Sequence, residues 1–107
     1  MNKAELYWTP FAVKSLNEIK DYIEQETQSE TIAANYINKL IDRIEQLKTF
    51  PDSGTEEQLL KRLKQNSRYL VEGNYKIIYQ CKDNKVIITD IFHTKQTPVK
   101  IVKRNKR

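Results

Sequence analysis

The run SRYLVEGNYKIIYQCKDNKVIITDIFHTKQTP, from Ser67 to Pro98, decides how this chain folds. It divides into three β-rich pieces: Arg68 to Glu72, Tyr75 to Cys81 and Val86 to His93. Gly73-Asn74 joins the first two, a two-residue loop of the kind that supplies positive φ in a tight hairpin. Lys82-Asp83-Asn84-Lys85 makes the second turn. Tyr, Ile and Val dominate the longer pieces, as a pleated, half-buried surface prefers. The reading is therefore a three-stranded antiparallel meander. Lys76, Gln80, Thr89, Asp90 and His93 interrupt its apolar residues, and helices covering one face only would leave such groups on the other. Strand parity sends Ile77, Tyr79, Val86, Ile88 and Phe92 toward the helices and lets Lys76 and His93 share the open face. Asp90 falls on the core side by that parity, which calls for an edge position or a basic partner.

Upstream, Ala4 to Trp8 is a short apolar stretch that reads as a first strand. Thr9 is a good N-cap, and Pro10 suits the first helical position because the N–H it lacks would go unbonded there. Phe11, Ala12, Leu16, Ile19 and Ile23 then recur at helical spacing, with charged residues around the rest of the wheel. Gln25 to Gln28 connects this helix to a second, which Ser29 caps and Glu30 opens. Ala33, Ile37, Leu40, Ile44 and Leu47 alternate steps of four and three, the spacing of a seam packed on another helix. Tyr36 and Ile41 widen the stripe. The two helices form an antiparallel hairpin. Phe50-Pro51 ends the second helix and Asp52-Ser53-Gly54 extends the loop. Glu56 to Lys64 reads as short turns with Leu59, Leu60 and Leu63 inward.

The chain is thus expected to be α+β: an N-terminal strand and an antiparallel helical hairpin on one face of a small, mainly antiparallel sheet. Its 107 residues make one domain, 1–107, with a basic tail over about 99–107. The single cysteine, Cys81, has no sequence partner for a disulfide or a multi-cysteine metal site. No metal and no cofactor are expected. No apolar run approaches the ~20 residues that cross a bilayer, and no signal-peptide pattern opens the chain, so a soluble, cytoplasmic protein without membrane partners is expected.

Charge is divided more sharply than its total of +5 suggests. Residues 1–60 hold six Lys and Arg against eleven Asp and Glu; residues 61–107 hold thirteen against three. A basic half of this kind is the footprint of a surface for nucleic acid or an acidic protein. Lys61, Arg62, Lys64 and Lys95 are the candidates for contact with a nucleic acid or other target. Among groups that do chemistry, an imidazole can take or give a proton near neutral pH, which makes His93 the candidate for that role. Arg68 and Lys95 add positive charge. Cleaving RNA without a metal would need such a base, cations for the phosphorane and an acid for the leaving oxygen.

Read together, WTPFAVKSLNEIKDYI at the first helix, LKTFPDSG at the end of the second, SRYLVEGNYKIIYQ and VIITDIFHTKQTP make nearly the whole chain resemble the RelE/ParE superfamily of type II toxin–antitoxin toxins. The loop and long helical hairpin look more like its ParE side. The resemblance implies a small basic toxin of a plasmid-stabilisation-like system that causes growth arrest. It would act either as a ribosome-dependent, metal-independent endoribonuclease cutting mRNA, or as a non-enzymatic poison of DNA gyrase. A cognate acidic antitoxin would wrap it in a hetero-oligomer, with Lys76, Lys95, Lys100, Lys103 and Arg104 as the candidate contacts. In the ribonuclease reading His93, Lys76 and Arg68 are the catalytic candidates. Lys76 follows the aromatic after the glycine turn, where ribonuclease members carry a phosphate-holding arginine, and a lysine point charge replaces that planar fork less than fully. An inactive relative and a non-catalytic nucleic-acid-binding domain are the competing readings.

Overall fold

The computed structural model describes residues 3–56 and 67–95. Within them the order is β1 (Glu5–Trp8), α1 (Pro10–Thr27), α2 (Glu30–Glu45), β2 (Thr55–Glu56), β3 (Ser67–Glu72), β4 (Tyr75–Lys82) and β5 (Lys85–His93). The strands form one sheet in the order β1-β5-β4-β3-β2, with β1 parallel to β5 and the other pairs antiparallel. This is the expected α+β arrangement, with one strand more than the sequence disclosed. β2 is two residues long at the edge, too short for any period to reveal it.

Both helices start as their caps dictate. Thr9 Oγ1 accepts the Ala12 N–H at 3.1 Å and donates to the Ile88 carbonyl at 2.9 Å, so one hydroxyl starts α1 and ties it to β5. Ser29 Oγ accepts the Ile32 N–H at 3.1 Å, and Gln28, at φ 56°, turns the chain between the helices in the left-handed region. α1 runs three residues farther than expected, to Thr27. α2 ends at Glu45 and tightens into a 3₁₀ turn over Gln46–Lys48, which keeps Leu47 in the core before Pro51. All five seam residues, Ala33, Ile37, Leu40, Ile44 and Leu47, are buried. Removing each larger one from water contributes roughly 1.5–3 kcal/mol. They pack with Ala12, Ile19 and Ile23 of α1 on Leu70, Tyr75, Ile77, Tyr79, Val86, Ile88 and Ile91 of the sheet.

The register corrects the assignment of strand faces. Tyr79 pairs with Ile88 but Ile78 pairs with Asp90, so Thr89 is an extra residue and parity in β5 reverses beyond it. Ile91 therefore joins the helix side and Phe92 leaves it, forming a second cluster with Ile78 and Tyr69 on the far face. That face is not bare, since Ile78 and Phe92 are themselves buried. The expectation that Lys76 and His93 share it fails for the same reason: Tyr75 pairs with His93 and Lys76 with Phe92. Asp90 lies two residues past the last pairing of β5 with β1, is fully buried, and accepts a 3.4 Å hydrogen bond from the Ser15 hydroxyl of α1.

Both hairpins turn on positive φ, at Gly73 in one and at Asp83 and Asn84 in the other. At Gly73 (φ 59°) a Cβ would also come within 3.0 Å of the Tyr36 hydroxyl. Among the described residues no helix is long and apolar enough to cross a membrane.

Candidate functional site

β5 ends in Ile91-Phe92-His93, and β1 has stopped pairing with it at Ile88. Between that end of β5 and α1 lies a cavity of about 470 Å³, walled by Ser15, Ile19 and Tyr22 on one side and Tyr75, Ile91 and His93 on the other. Glu18 and Lys95 stand at its rim with opposite charges. Tyr75 meets His93 edge to face, ring centroids 5.4 Å apart, and meets Tyr36 the same way at 5.9 Å. Burial, then the neighbouring Tyr36 and Tyr22, raise the Tyr75 phenol above its ordinary pKa, so it stays a neutral hydrogen-bonding group.

His93 is only half buried, and its Nδ1 accepts the Lys95 backbone N–H at 3.1 Å. In the neutral ring that bond places the proton on Nε2. The nitrogen directed away from the turn is then a donor, suited to holding a carbonyl or carboxylate and not to taking a proton from a hydroxyl.

The other two catalytic candidates stand elsewhere. Lys76 points to the far face, its Nζ 3.9 Å from the centroid of the Tyr69 ring, a cation–π contact between adjacent strands. Arg68 pairs with Tyr79, on the helix side of the sheet, and its Nη1 donates to the Gly54 carbonyl at 2.9 Å. Lys95 is the one target-contact candidate seen at the cavity. Lys61, Arg62, Lys64, Lys100, Lys103 and Arg104 lie outside the described residues.

Arg68 belongs instead to a clamp on the loop after α2. Tyr79 Oη accepts the Gly54 N–H at 2.8 Å and donates to the Pro51 carbonyl at 2.9 Å, while the Cys81 thiol donates to that same carbonyl at 3.1 Å. A Cβ on Gly54 would collide with the Tyr79 hydroxyl. Burial raises both the Tyr79 phenol and the Cys81 thiol in pKa, which keeps both protonated as donors at neutral pH.

Sequence reasoning missed the cavity walls Ser15, Tyr22 and Tyr75. Tyr75 was accessible in principle, since a two-residue hairpin loop and the facing of the next strand place it opposite His93. Tyr22 was not, because its position one turn off the core stripe of α1 marks only a surface residue. Among the described residues no three His, Cys, Asp or Glu side chains come together as metal ligands.

Comparison with known proteins places this geometry. No curated protein matches the sequence. Among solved structures, a chain of the chromosomal ParDE TA system from P. aeruginosa is similar in fold, with a TM-score of 0.68 at 16% identity over 85% of this chain and 96% of that one. The model of the ParE toxin of the type II toxin–antitoxin system parDE matches residues 6–98, which takes in both helices and, but for Glu5 at the start of β1, the strands just described. The chain belongs to the ParE family of type II toxin–antitoxin toxins.

Proposed function

We propose that this ParE-family toxin arrests growth by poisoning DNA gyrase, without cleaving RNA, and that an acidic antitoxin neutralises it. The observation that carries the reading is the separation of the three groups a ribonuclease would need. Lys76 and His93 leave opposite sides of the sheet, and Arg68 is spent on Gly54. Proton transfer and phosphate stabilisation must act on one phosphodiester, within hydrogen-bond reach of it. The His93 tautomer, with Nδ1 already bonded, adds support.

The antitoxin is assigned to the cavity beside α1. Tyr22, Tyr75 and Ile91 suit an apolar side chain, and Lys95 and His93 suit the carboxylates of an acidic segment around it. Lys76, Lys100, Lys103 and Arg104 would lengthen that contact as the segment wraps the chain. Such binding should weaken with salt in proportion to its charged part.

The test is expression of the toxin alone, with gyrase-trapped DNA breaks and cuts in ribosome-bound mRNA measured in parallel. Breaks without new mRNA ends are expected. Codon-spaced mRNA ends without breaks would overturn the proposal.

A further inference from the structure

We propose that the far face of the sheet, at its β1–β5–β4 corner, binds single-stranded nucleic acid through Tyr7, Gln80, Lys82 and Lys85. The proposal goes beyond the gyrase and antitoxin reading and stands without it.

Strand register puts these four side chains on the face away from the helices. Tyr7 pairs with Ile87 and Ile87 with Gln80, so they form one row; Lys85 pairs with Lys82 in the next. Their chemistry divides into the two parts a strand of nucleic acid needs. Tyr7 is 46% exposed, a flat ring on which a base can stack, and Gln80 in the same row offers an amide to base edges. Lys82 and Lys85 are exposed ammonium groups beside that row, with Lys85 Nζ 5.8 Å from the Tyr7 centroid. Like charges directly opposite in a sheet repel, so the Lys82–Lys85 pair costs stability that an anion between them would recover. Neither lysine makes an ion pair among the described residues; the two pairs present are Lys14–Glu18 and Lys48–Glu45.

Three carboxylates lie near these lysines, and one of them, Asp52 of the loop after α2, lines a small cavity with Lys82, Asp83 and Lys85. Glu5 pairs with Lys85 in the register, but its carboxylate accepts the Tyr7 hydroxyl at the ring's edge, while Lys85 Nζ lies over one face of that ring. Asp83 sits in the turn between the lysines. Among the described residues the charge is layered: α1 and α2 carry four cations against seven carboxylates, while the far face of the sheet carries Lys76, Lys82 and Lys85, with Glu5 the one exposed carboxylate of β1, β4 and β5. Lys76 and Lys82 are six residues apart on β4, about 20 Å, which is long enough to follow several phosphates. An acidic peptide would satisfy the lysines equally well, but it has no use for the exposed ring and amide set in line beside them.

Fluorescence anisotropy on the full chain tests this, using labelled twelve-residue oligo(dT), the same length of duplex, and poly-glutamate as competitor. Lys82→Glu with Lys85→Glu should weaken oligo(dT) binding more than tenfold and lower the slope of log affinity against log salt by about 1.4. Tyr7→Ala should weaken it about five- to tenfold with the slope unchanged, and Tyr7→Phe should restore it. The control Lys14→Glu with Lys39→Glu makes the same charge change on the exposed helices, and circular dichroism checks that every variant folds. The proposal is overturned if the sheet and helix reversals act alike, or if poly-glutamate displaces oligo(dT) as readily as unlabelled oligo(dT) does. Neither result depends on what the toxin does to gyrase.

Discussion

Tyr75 and His93 face each other across β4 and β5 with ring centroids 5.4 Å apart, and that pairing sends Lys76, the next residue along, to the opposite side of the sheet. The family fold is thereby kept while its basic groups are distributed: an imidazole at a cavity against α1, a lysine on the Tyr69 ring, and an arginine holding the loop after α2. Each of these contacts has consequences for stability or activity that can be measured.

The Tyr79 hydroxyl is the centre of the loop clamp. Tyr79→Phe leaves the Gly54 N–H and one Pro51 bond without their partner, and should cost about 1–3 kcal/mol in urea unfolding. The change should leave the secondary structure intact by circular dichroism. A loss below about 0.5 kcal/mol would mean water replaces the hydroxyl.

The same clamp sets the alkaline limit. Burial raises the folded-state pKa of Tyr79 above 10.0 and of Cys81 above 9.0, and Tyr75 shifts in the same direction. A raised folded pKa means that the native state holds its proton longer than the unfolded chain, so stability is level below the unfolded value and falls as pH rises through the folded one. Unfolding free energy should be flat up to about pH 9 and decline beyond it. Tyr79→Phe should make that decline shallower, since one of the three groups no longer titrates.

Thr9 joins two layers through one oxygen. Thr9→Ala removes both the cap on Ala12 and the bond to Ile88, and should cost about 1–2 kcal/mol. Thr9→Ser keeps the hydroxyl and should recover most of the loss, which thermal melts of the three proteins would show.

Leu40 is fully buried in the helix seam, whereas Ile32, on the same helix, is 48% exposed. Leu40→Ala should destabilise by about 2–5 kcal/mol and Ile32→Ala by less than about 0.5 kcal/mol. Equal losses would place the seam elsewhere on α2.

The helices were legible because their evidence is repeated. Five residues at steps of four and three, a threonine before a proline and a serine before a glutamate all favour the same boundaries, and burial of Ala33, Ile37, Leu40, Ile44 and Leu47 agrees. The hairpin turns were legible through Gly73 and Asp83-Asn84. The faces of β5 were not. Its residues VIITDIF are apolar on both sides of the strand, so nothing in their alternation marks Thr89 as the extra residue; its hydroxyl bonded to the Ile78 carbonyl shows only in three dimensions. One residue of slip was enough to exchange Ile91 with Phe92 and to part His93 from Lys76. Asp90 was the warning, a carboxylate on the core side of an unbroken parity.

Growth arrest by the His93→Ala, Lys76→Ala double variant tests the central claim most directly. If the two residues do not form a catalytic centre, the variant, folded by circular dichroism, should arrest growth as the wild type does and should still accumulate gyrase-trapped DNA breaks. Recovery of normal growth by a folded variant that still binds its antitoxin, together with loss of mRNA cuts that the wild type makes, would contradict the account.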